Sequence, residues 1–212
     1  MSPFPALIRA RADALGLAVA DELVARLGTY LDLLARWNRR INLTSFNLDA
    51  PADAAIDRLI VEPLRAAAFV RAEDRIALDI GSGGGSPAIP LALACPWLQM
   101  TLVEVRARKA AFLREAVRAL DLASARVEAV AVETLAASSL VNRVDVVTMR
   151  AVRADREIWM TVEALLAPGG RALWFGGDPA AIESTTLAPV DRTDIVLVVA
   201  HRRNLKDQPT IG

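Results

Sequence analysis

The stretch LDIGSGGGSPAIPLALA at residues 78–94 is mostly apolar but contains four glycines, two serines and two prolines. Glycine lets the backbone adopt positive φ and lets a ligand approach the main chain closely. A glycine cluster directly after a buried strand therefore indicates a binding loop. The dinucleotide pattern G-x-G-x-x-G does not fit, because Ser86 stands where the third glycine is required. The spacing fits acid-x-G-x-G-x-G instead, with Asp79, Gly81, Gly83 and Gly85.

This pattern resembles motif I of the class I S-adenosylmethionine-dependent methyltransferases, in which the loop wraps the amino-acid part of the cofactor. The resemblance implies that Glu104, at the end of the second predicted strand, accepts both ribose hydroxyls. A carboxylate suits this role because each oxygen has acceptor capacity. Val132 and Glu133 close the third predicted strand, where the adenine edge would lie. The alternative is that the glycine-rich turn merely connects a strand to a helix and that the acids are solvated.

The elements that must position this loop begin with a helical segment. Apolar residues recur every three or four positions over 21–41, which predicts a helix with one buried face. A shorter helix is predicted before it, and helical spacing continues after it to Phe69. We therefore expect two parts: an all-helical N-terminal extension over 1–70 and a cofactor-binding domain over 71–212.

From residue 75 onward, short β-branched runs alternate with helical stretches. The predicted strands cover 75–80, 98–105, 126–132, 144–150 and 171–177. Strands that alternate with helices imply a mostly parallel sheet covered on both faces, which is a Rossmann-like α/β fold. The late run TDIVLVVAHRR has no clear helix before it, so we expect it to join antiparallel at the sheet edge.

Composition restricts the classes of protein and site. No run approaches the roughly 18 uninterrupted apolar residues that a membrane helix needs, so we expect a cytoplasmic protein with no membrane partner. Cys95 and His201 are the only cysteine and histidine, which argues against a metal site. We expect Cys95 to be a small buried hydrophobe. Because 25 basic residues balance 25 acidic ones, nucleic acid would have to be met by a local patch.

More specific patterns narrow the family. RWNRRINLT (36–44), the glycine stretch, LVEVRARKAAFLREA (102–116) and VTMRAV (147–152) follow one another in order and spacing. They resemble the bacterial small-subunit ribosomal RNA guanine-N7 methyltransferases, the glucose-inhibited division protein B family. By this resemblance Gly81, Ser86, Val132, Glu133 and Arg150 fall where the family contacts its cofactor. Taken without the family, RWNRRINLT is typical of an amphipathic helix end, with Trp37 buried and Asn42 or Thr44 capping a turn, and Arg150 is typical of a surface charge.

The resemblance implies methyl transfer to N7 of a guanine. N7 carries an in-plane lone pair and no proton, so the reaction needs alignment more than a general base, and we name no catalytic residue. Ribosomal RNA or the small subunit is the expected partner of a monomeric enzyme. For RNA contacts we predict Arg106, Arg108, Lys109 and Arg153, within basic clusters that also include Arg36, Arg39 and Arg40. The alternative is that these arginines form a solvated helix face.

Several positions depart from the family pattern. The usual R-H-x-x-D-S-L appears as RLIVEPL, so that Leu59 replaces the histidine and Glu62 the aspartate. Ala131 replaces an arginine, and Phe175 stands about where a lysine is usual. Two further hypotheses therefore remain open. One is a diverged methyltransferase that acts on another nucleic acid or a small molecule, and the other is a non-catalytic RNA-binding relative.

Overall fold

The chain folds into N-terminal helices followed by strands that alternate with helices, in a computed structural model that describes residues 2–184 and 186–201. The α-helices in these residues are α1 Phe4–Ala14, α2 Asp21–Asn38, α3 Asp53–Ile56, α4 Glu62–Ala66, α5 Ala88–Ala94, α6 Ala107–Ala119 and α7 Arg156–Leu165. The strands are β1 Ile76–Ile80, β2 Gln99–Val103, β3 Ala125–Glu128, β4 Val144–Arg150, β5 Leu166–Phe175, β6 Leu187–Arg192 and β7 Val196–His201.

The strands form one sheet in the order β3-β2-β1-β4-β5-β7-β6. Neighbours among β1 to β5 are parallel, whereas β7 is antiparallel to both β5 and β6. The direction in which successive strands are added reverses between β1 and β4. In open α/β sheets, ligands bind at such a switch point, outside the carboxyl ends of the strands. The predicted Rossmann-like class is confirmed, and the loop after β1 lies at the switch point.

Two details of the predicted sheet are wrong. The late antiparallel strand exists as β7, but β6 pairs outside it and forms the edge. β6 contains Pro189, which lacks an amide hydrogen and is tolerated on an edge strand, so its sequence gives a poor strand signal. The third predicted strand ends at Glu128, and a short 3₁₀ helix over Val132–Ala137 follows instead of a full helix. Residues 202–203 of the predicted late strand lie outside the described residues.

Hydrophobic side chains of the strands belong to two core clusters, one on each face of the sheet. In β5, Leu173 and Phe175 belong to the cluster beneath α5 and α6, whereas Ala172 and Trp174 belong to the cluster beneath α7. This follows from the alternation of side chains along a strand. The predicted coverage of both faces is confirmed.

The N-terminal helices share the first of these clusters. α2 buries Leu27, Leu31 and Leu34 completely, and it packs against α5 and α6. Burying each such leucine stabilises the fold by about 2 kcal/mol. α2 is therefore held against α5 and α6 by its apolar stripe. The division into a helical extension over 1–70 and a domain over 71–212 stays a prediction.

Candidate functional site

The glycine loop lies between the end of β1 and the segment that follows α2. Gly83 has φ +50°, a conformation that L side chains rarely adopt, and a Cβ there would lie 4.0 Å from a Glu104 oxygen. At Gly84 a Cβ would lie 2.9 Å from the Leu43 carbonyl oxygen, so only glycine permits this approach. The Tyr30 hydroxyl donates a 2.7 Å hydrogen bond to the Gly84 carbonyl oxygen. The N-terminal segment, through Tyr30 of α2 and Leu43 after it, therefore contacts the glycine loop directly.

The motif RWNRRINLT forms the turn that reaches the loop. The side-chain oxygen of Asn38 accepts hydrogen bonds from the backbone amides of Leu43 at 2.9 Å and Thr44 at 3.0 Å. Asn38 therefore closes this turn, which the sequence did not single out. The Thr44 hydroxyl accepts a 3.3 Å hydrogen bond from the Phe46 amide, so the expected cap at Thr44 is confirmed, whereas Asn42 forms no such bond in the described residues. The side-chain oxygen at the end of α2 closes the turn by accepting from two backbone amides of the segment that follows the helix.

Glu104, directly after β2, connects the loop to the start of α6. Its carboxylate accepts one hydrogen bond from the Gly83 amide at 3.0 Å and another from the Arg106 amide at 2.9 Å. The residue is 6% exposed and lines the cavity described next. Because a carboxylate oxygen can accept two hydrogen bonds, Glu104 keeps acceptor capacity on both oxygens.

A cavity of about 440 Å³ lies at the carboxyl ends of β1, β2 and β4. This volume falls within the usual range of small-molecule sites, roughly 300–1,000 Å³. Its lining includes Leu43, Arg58, Leu59, Gly81, Gly83, Ser86, Glu104, Lys109 and Arg150. A larger cavity of about 610 Å³ lies near the amino ends of β2 and β3 and contains none of the predicted site residues. The candidate site is therefore the smaller cavity, where glycine loop and acid meet.

Asp79, in β1 two residues before Gly81, is 1% exposed and is not among the residues that line the cavity. One carboxylate oxygen accepts a 2.5 Å hydrogen bond from the Thr148 hydroxyl, and the other, Oδ2, is buried without a partner. Burial raises the pKa of Asp79 to about 6, although the Thr148 hydrogen bond and the Arg150 charge oppose the shift. An unpartnered buried acceptor is costly, so it is a natural place for a ligand donor or a bound water.

Arg150, at the end of β4, is enclosed rather than solvated, with a side chain 9% exposed. Its guanidinium donates to Glu62 Oε2 at 2.8 Å, to Ser86 Oγ at 3.3 Å and to the Arg58 carbonyl oxygen. The surface-charge alternative for Arg150 is therefore wrong. Its Nε is buried without a partner. Burial, together with the Arg58 charge, lowers the pKa of Arg150 to about 10, so the group stays charged near neutral pH.

The departures from the family pattern meet around this guanidinium. Glu62 Oε2 also accepts a 2.9 Å hydrogen bond from Arg58 Nη1, so one carboxylate serves two arginines. The Phe175 ring centroid lies 4.3 Å from Arg150 Cζ, at cation–π distance. Ser86 Oγ donates a 2.9 Å hydrogen bond to the Leu59 carbonyl oxygen. Three of the replaced positions, Leu59, Glu62 and Phe175, thus form one connected cluster with Ser86 and Arg150 beside the cavity.

The remaining predicted residues occupy varied places. Gly85 is closed in by Ile89, whose Cδ1 would lie 2.5 Å from a Cβ there, so this glycine serves packing. Val132 is buried and Glu133 half-buried at the start of the 3₁₀ helix, outside the lining of the cavity. Arg153 is exposed and lines neither this cavity nor the groove described below.

Several cavity residues were not predicted as site residues from the sequence, and two of them are informative. Arg58 and Leu43 both line the cavity, one from the helical turn before α4 and one from the turn after α2. The motif RWNRRINLT contains Leu43 and was the signal for that segment. Arg58 had no signal beyond its place in RLIVEPL, because only the packing of the helices brings it beside Arg150.

Other expectations concern residues outside the cavity. Cys95 is 2% exposed and burial raises its pKa to about 11, which confirms it as a buried apolar side chain. Among residues 2–184 and 186–201, no three His, Cys, Asp or Glu side chains are grouped as a metal ion would need. In the same part of the chain, none of the helices combines the length and apolar character that crossing a bilayer requires.

The polar groups of the cavity, together with Asp79 directly before the glycine loop, fit S-adenosylmethionine. The amino-acid end of that cofactor carries an ammonium donor and a carboxylate acceptor, which match the unpartnered Asp79 Oδ2 and Arg150 Nε. Its ribose carries two hydroxyl donors, which match the spare acceptor capacity of Glu104. Gly81 is exposed and Gly83 is half-buried, so the backbone of the glycine loop allows close approach of the ligand between these groups.

Comparisons with known proteins agree with this geometry. A sequence model of the family described as GidB, rRNA small subunit methyltransferase G, matches residues 23–200. Ribosomal RNA small subunit methyltransferase G of Stenotrophomonas maltophilia (strain K279a) is 40% identical over 82% of this chain and 80% of its own length. The protein of the same name from Anaeromyxobacter sp. (strain Fw109-5) is 39% identical over 74% of this chain and 71% of its own.

Solved structures share the fold at low sequence identity. The mitomycin 7-O-methyltransferase MmcR superposes with a TM-score of 0.57 at 18% identity, over 84% of this chain and 72% of that one. TYW2 of Pyrococcus horikoshii, solved in complex with MeSAdo, gives 0.52 at 15% identity, over 66% of this chain and 60% of that one. These likenesses show that the chain shares the α/β fold of these proteins.

Proposed function

This chain belongs to the GidB family, rRNA small subunit methyltransferase G, and we propose that it transfers a methyl group from S-adenosylmethionine to N7 of a guanine in small-subunit ribosomal RNA. The match over residues 23–200 includes the glycine loop, Glu104 and Arg150 and is the observation that carries the proposal. The cavity chemistry supports it independently, because the unpartnered groups there complement an amino-acid-bearing nucleoside.

In the proposed complex, the protein holds the cofactor at its amino-acid part and at its ribose. Asp79 Oδ2 accepts from the ammonium group, and Arg150 Nε donates to the carboxylate, so two buried groups gain the partners they lack. The glycine loop, with Gly81, Gly83 and Ser86, contacts the amino-acid part from its backbone side. Glu104 accepts the ribose hydroxyls.

The adenine would lie on the β3 side of Glu104. Val132 and Glu133 are the proposed neighbours of the adenine, at the start of the 3₁₀ helix that follows β3. Val105 adjoins Glu104 and is 65% exposed, which leaves an apolar surface free for the ring. Apolar side chains favour the faces of a purine, and a polar group suits its edge.

The chemistry needs positioning rather than proton transfer. When bound, S-adenosylmethionine supplies a methyl on a sulfonium, which moves to the N7 lone pair while the bonding electrons stay on sulfur. No proton leaves guanine, so no residue has to act as a base, in keeping with a site that holds no histidine. The role of this chain is to align the two reactants and to exclude water.

The target guanine must be accessible to the cavity. The major groove of an A-form RNA helix is too deep and narrow for side chains, so N7 of a paired guanine is difficult to reach. We therefore propose an unpaired or extruded nucleotide as the target. The enzyme is proposed to act as a monomer in the cytoplasm, on free ribosomal RNA or on the small subunit.

Transfer of labelled methyl from S-adenosylmethionine to small subunits that lack the modification tests this function. We expect incorporation into the RNA, with 7-methylguanine as the product nucleobase after digestion. Transfer only to another nucleic acid or to a small molecule would favour a diverged methyltransferase. Cofactor binding by calorimetry without any transfer would favour a non-catalytic RNA-binding relative.

A further inference from the structure

We propose that a groove beside the cofactor cavity binds the phosphodiester backbone of the RNA strand that carries the target nucleotide. This inference rests on the proposed function. The groove, called the basic groove below, has a volume of about 410 Å³ and is lined by Arg40, Ile41, Asn42, Arg106, Ala107, Arg108 and Lys109. One wall follows α2 and the other is the start of α6, so the helical segment and the cofactor-binding part build it together.

The groove concentrates unneutralised positive charge. Arg40, Arg106 and Arg108 are exposed, Lys109 is half-buried, and none of the four forms an ion pair with an acid of residues 2–184 or 186–201. Two other arginines of the predicted basic clusters form ion pairs with acidic side chains. Arg36 pairs with Glu115 at 2.9 Å and Arg39 with Asp49 at 2.5 Å. The four cations of the groove are therefore available to an anionic ligand, and they are gathered along one surface.

The two walls are fixed to each other. Glu115, the only acid of α6, accepts hydrogen bonds from Arg36 Nη2 at 2.9 Å and from Trp37 Nε1 at 3.1 Å. The Trp37 and Phe112 rings pack edge to face with centroids 5.9 Å apart. These contacts hold the end of α2 against α6. They also neutralise Glu115, the acid on this helix that would otherwise weaken the attraction for phosphate.

Lys109 connects the groove to the cofactor cavity. It lines both, and its Nζ would lie 3.9 Å from a Cβ at Gly83 in the glycine loop. An RNA strand bound in the basic groove would thus pass directly beside the opening of the cofactor cavity, and an adjacent base could enter the cavity there. Phosphate contacts of this kind fix the position and orientation of a nucleic acid without reading its sequence.

A paired experiment tests the groove. The double variant Arg40→Gln/Arg108→Gln removes two exposed groove cations. Its control, Arg143→Gln/Arg192→Gln, removes two exposed cations from other surfaces and lowers the net charge equally. The probe is small-subunit ribosomal RNA transcribed in vitro, with affinity measured at several salt concentrations. Thermal melting and calorimetric cofactor affinity check that both variants are intact.

We expect the groove variant to bind RNA about tenfold more weakly than wild type, and its slope of log K against log salt to fall by about 1.4. The control should bind as wild type does, and cofactor affinity should be unchanged in both variants. Lys109→Gln should weaken both RNA and cofactor binding, since Lys109 faces both sites. Equal binding by wild type and the groove variant would overturn the inference, as would equal losses in both double variants.

Further outcomes separate the groove from the proposed function. Duplex DNA that competes as well as the RNA would overturn the assignment of RNA as the ligand. Binding is measured without methyl transfer, so a protein that binds RNA through the groove but methylates nothing would contradict the function alone. A protein that methylates RNA while the groove variant binds and methylates normally would overturn the groove alone.

Discussion

Tyr30 on α2 donates a 2.7 Å hydrogen bond to the carbonyl oxygen of Gly84, 54 positions along the chain. Tyr30 is completely buried, so the contact is shielded from water. It fixes one peptide of the loop that faces the cavity, while Leu43 closes on the same glycine from the other side. The helical segment therefore shapes the cofactor site through the backbone, although α2 itself contributes no side chain to the cavity lining.

Replacing Tyr30 by phenylalanine removes this donor and leaves the Gly84 carbonyl oxygen buried and unpaired. A buried, unpaired carbonyl oxygen of this kind lowers the free energy of unfolding by about 1–3 kcal/mol. We expect Tyr30→Phe to remain folded with a lower melting temperature and to bind S-adenosylmethionine several-fold more weakly in calorimetry. Thr29→Ala on the same helix, which removes a hydroxyl bonded within α2, is the control. A lower melting temperature with unchanged cofactor affinity would separate Tyr30 from the site.

Gly83 provides a direct test of the binding loop. Gly83→Asp places a carboxylate beside Glu104 at a position whose φ of +50° disfavours side chains. We expect cofactor affinity to fall by more than about tenfold, through strain, repulsion and lost space. Gly16→Asp is the matched control, because Gly16 has φ +65° with open space around it. If Gly83→Asp binds the cofactor as well as Gly16→Asp does, the loop assignment is wrong.

The sheet could be predicted from local patterns, because parallel strands buried on both faces leave mostly apolar runs such as IALDI of β1. The edge strand β6 could not, since an exposed edge places few constraints on sequence and tolerates Pro189. The glycine loop was predictable because its composition is costly elsewhere. The apolar stripe of α2 predicted a helix over 21–41, and the observed helix ends three residues earlier, at Asn38.

The surroundings of Arg150 could not be predicted from the sequence. Its partners Glu62 and Arg58 lie 88 and 92 positions away, and only the packing of the helices onto the sheet brings them together. The same limit applies to the basic clusters. Arg36 and Arg39 look equivalent to Arg40 in the sequence, but their ion pairs with Glu115 and Asp49 depend on tertiary neighbours.

Asp79 should make stability depend on pH. Its pKa is raised to about 6 in the folded protein, against about 3.9 in an unfolded chain. The folded state therefore binds the proton more tightly. The resulting stability is complete below about pH 4 and is lost as the pH rises through 6, by about 3 kcal/mol. Asp79→Asn abolishes this dependence, because its amide does not titrate.

Thermal melts between pH 4.5 and 8 measure this effect. We expect Asp79→Asn to melt increasingly above wild type as the pH rises to about 6 and by a constant margin at higher pH, and yet to bind S-adenosylmethionine more weakly because the ammonium partner is lost. Asp32→Asn, an exposed carboxyl on α2, is the control and should follow wild type. A constant difference in melting temperature across this range would contradict the raised pKa.

Phe175 tests whether the family's lysine can simply be restored in this chain. Phe175 is 2% exposed and its ring lies against the Arg150 guanidinium, so Phe175→Lys would place an ammonium beside a buried like charge. We expect a loss of about 3 kcal/mol in the free energy of unfolding and no gain in methyl transfer. Phe175→Leu, which keeps the site apolar but removes the cation–π contact, should cost about 1 kcal/mol. Denaturant unfolding measures both. If Phe175→Lys proves as stable as wild type, the Arg150 cluster accommodates a second cation, and the coupling between Phe175 and Arg150 is wrong.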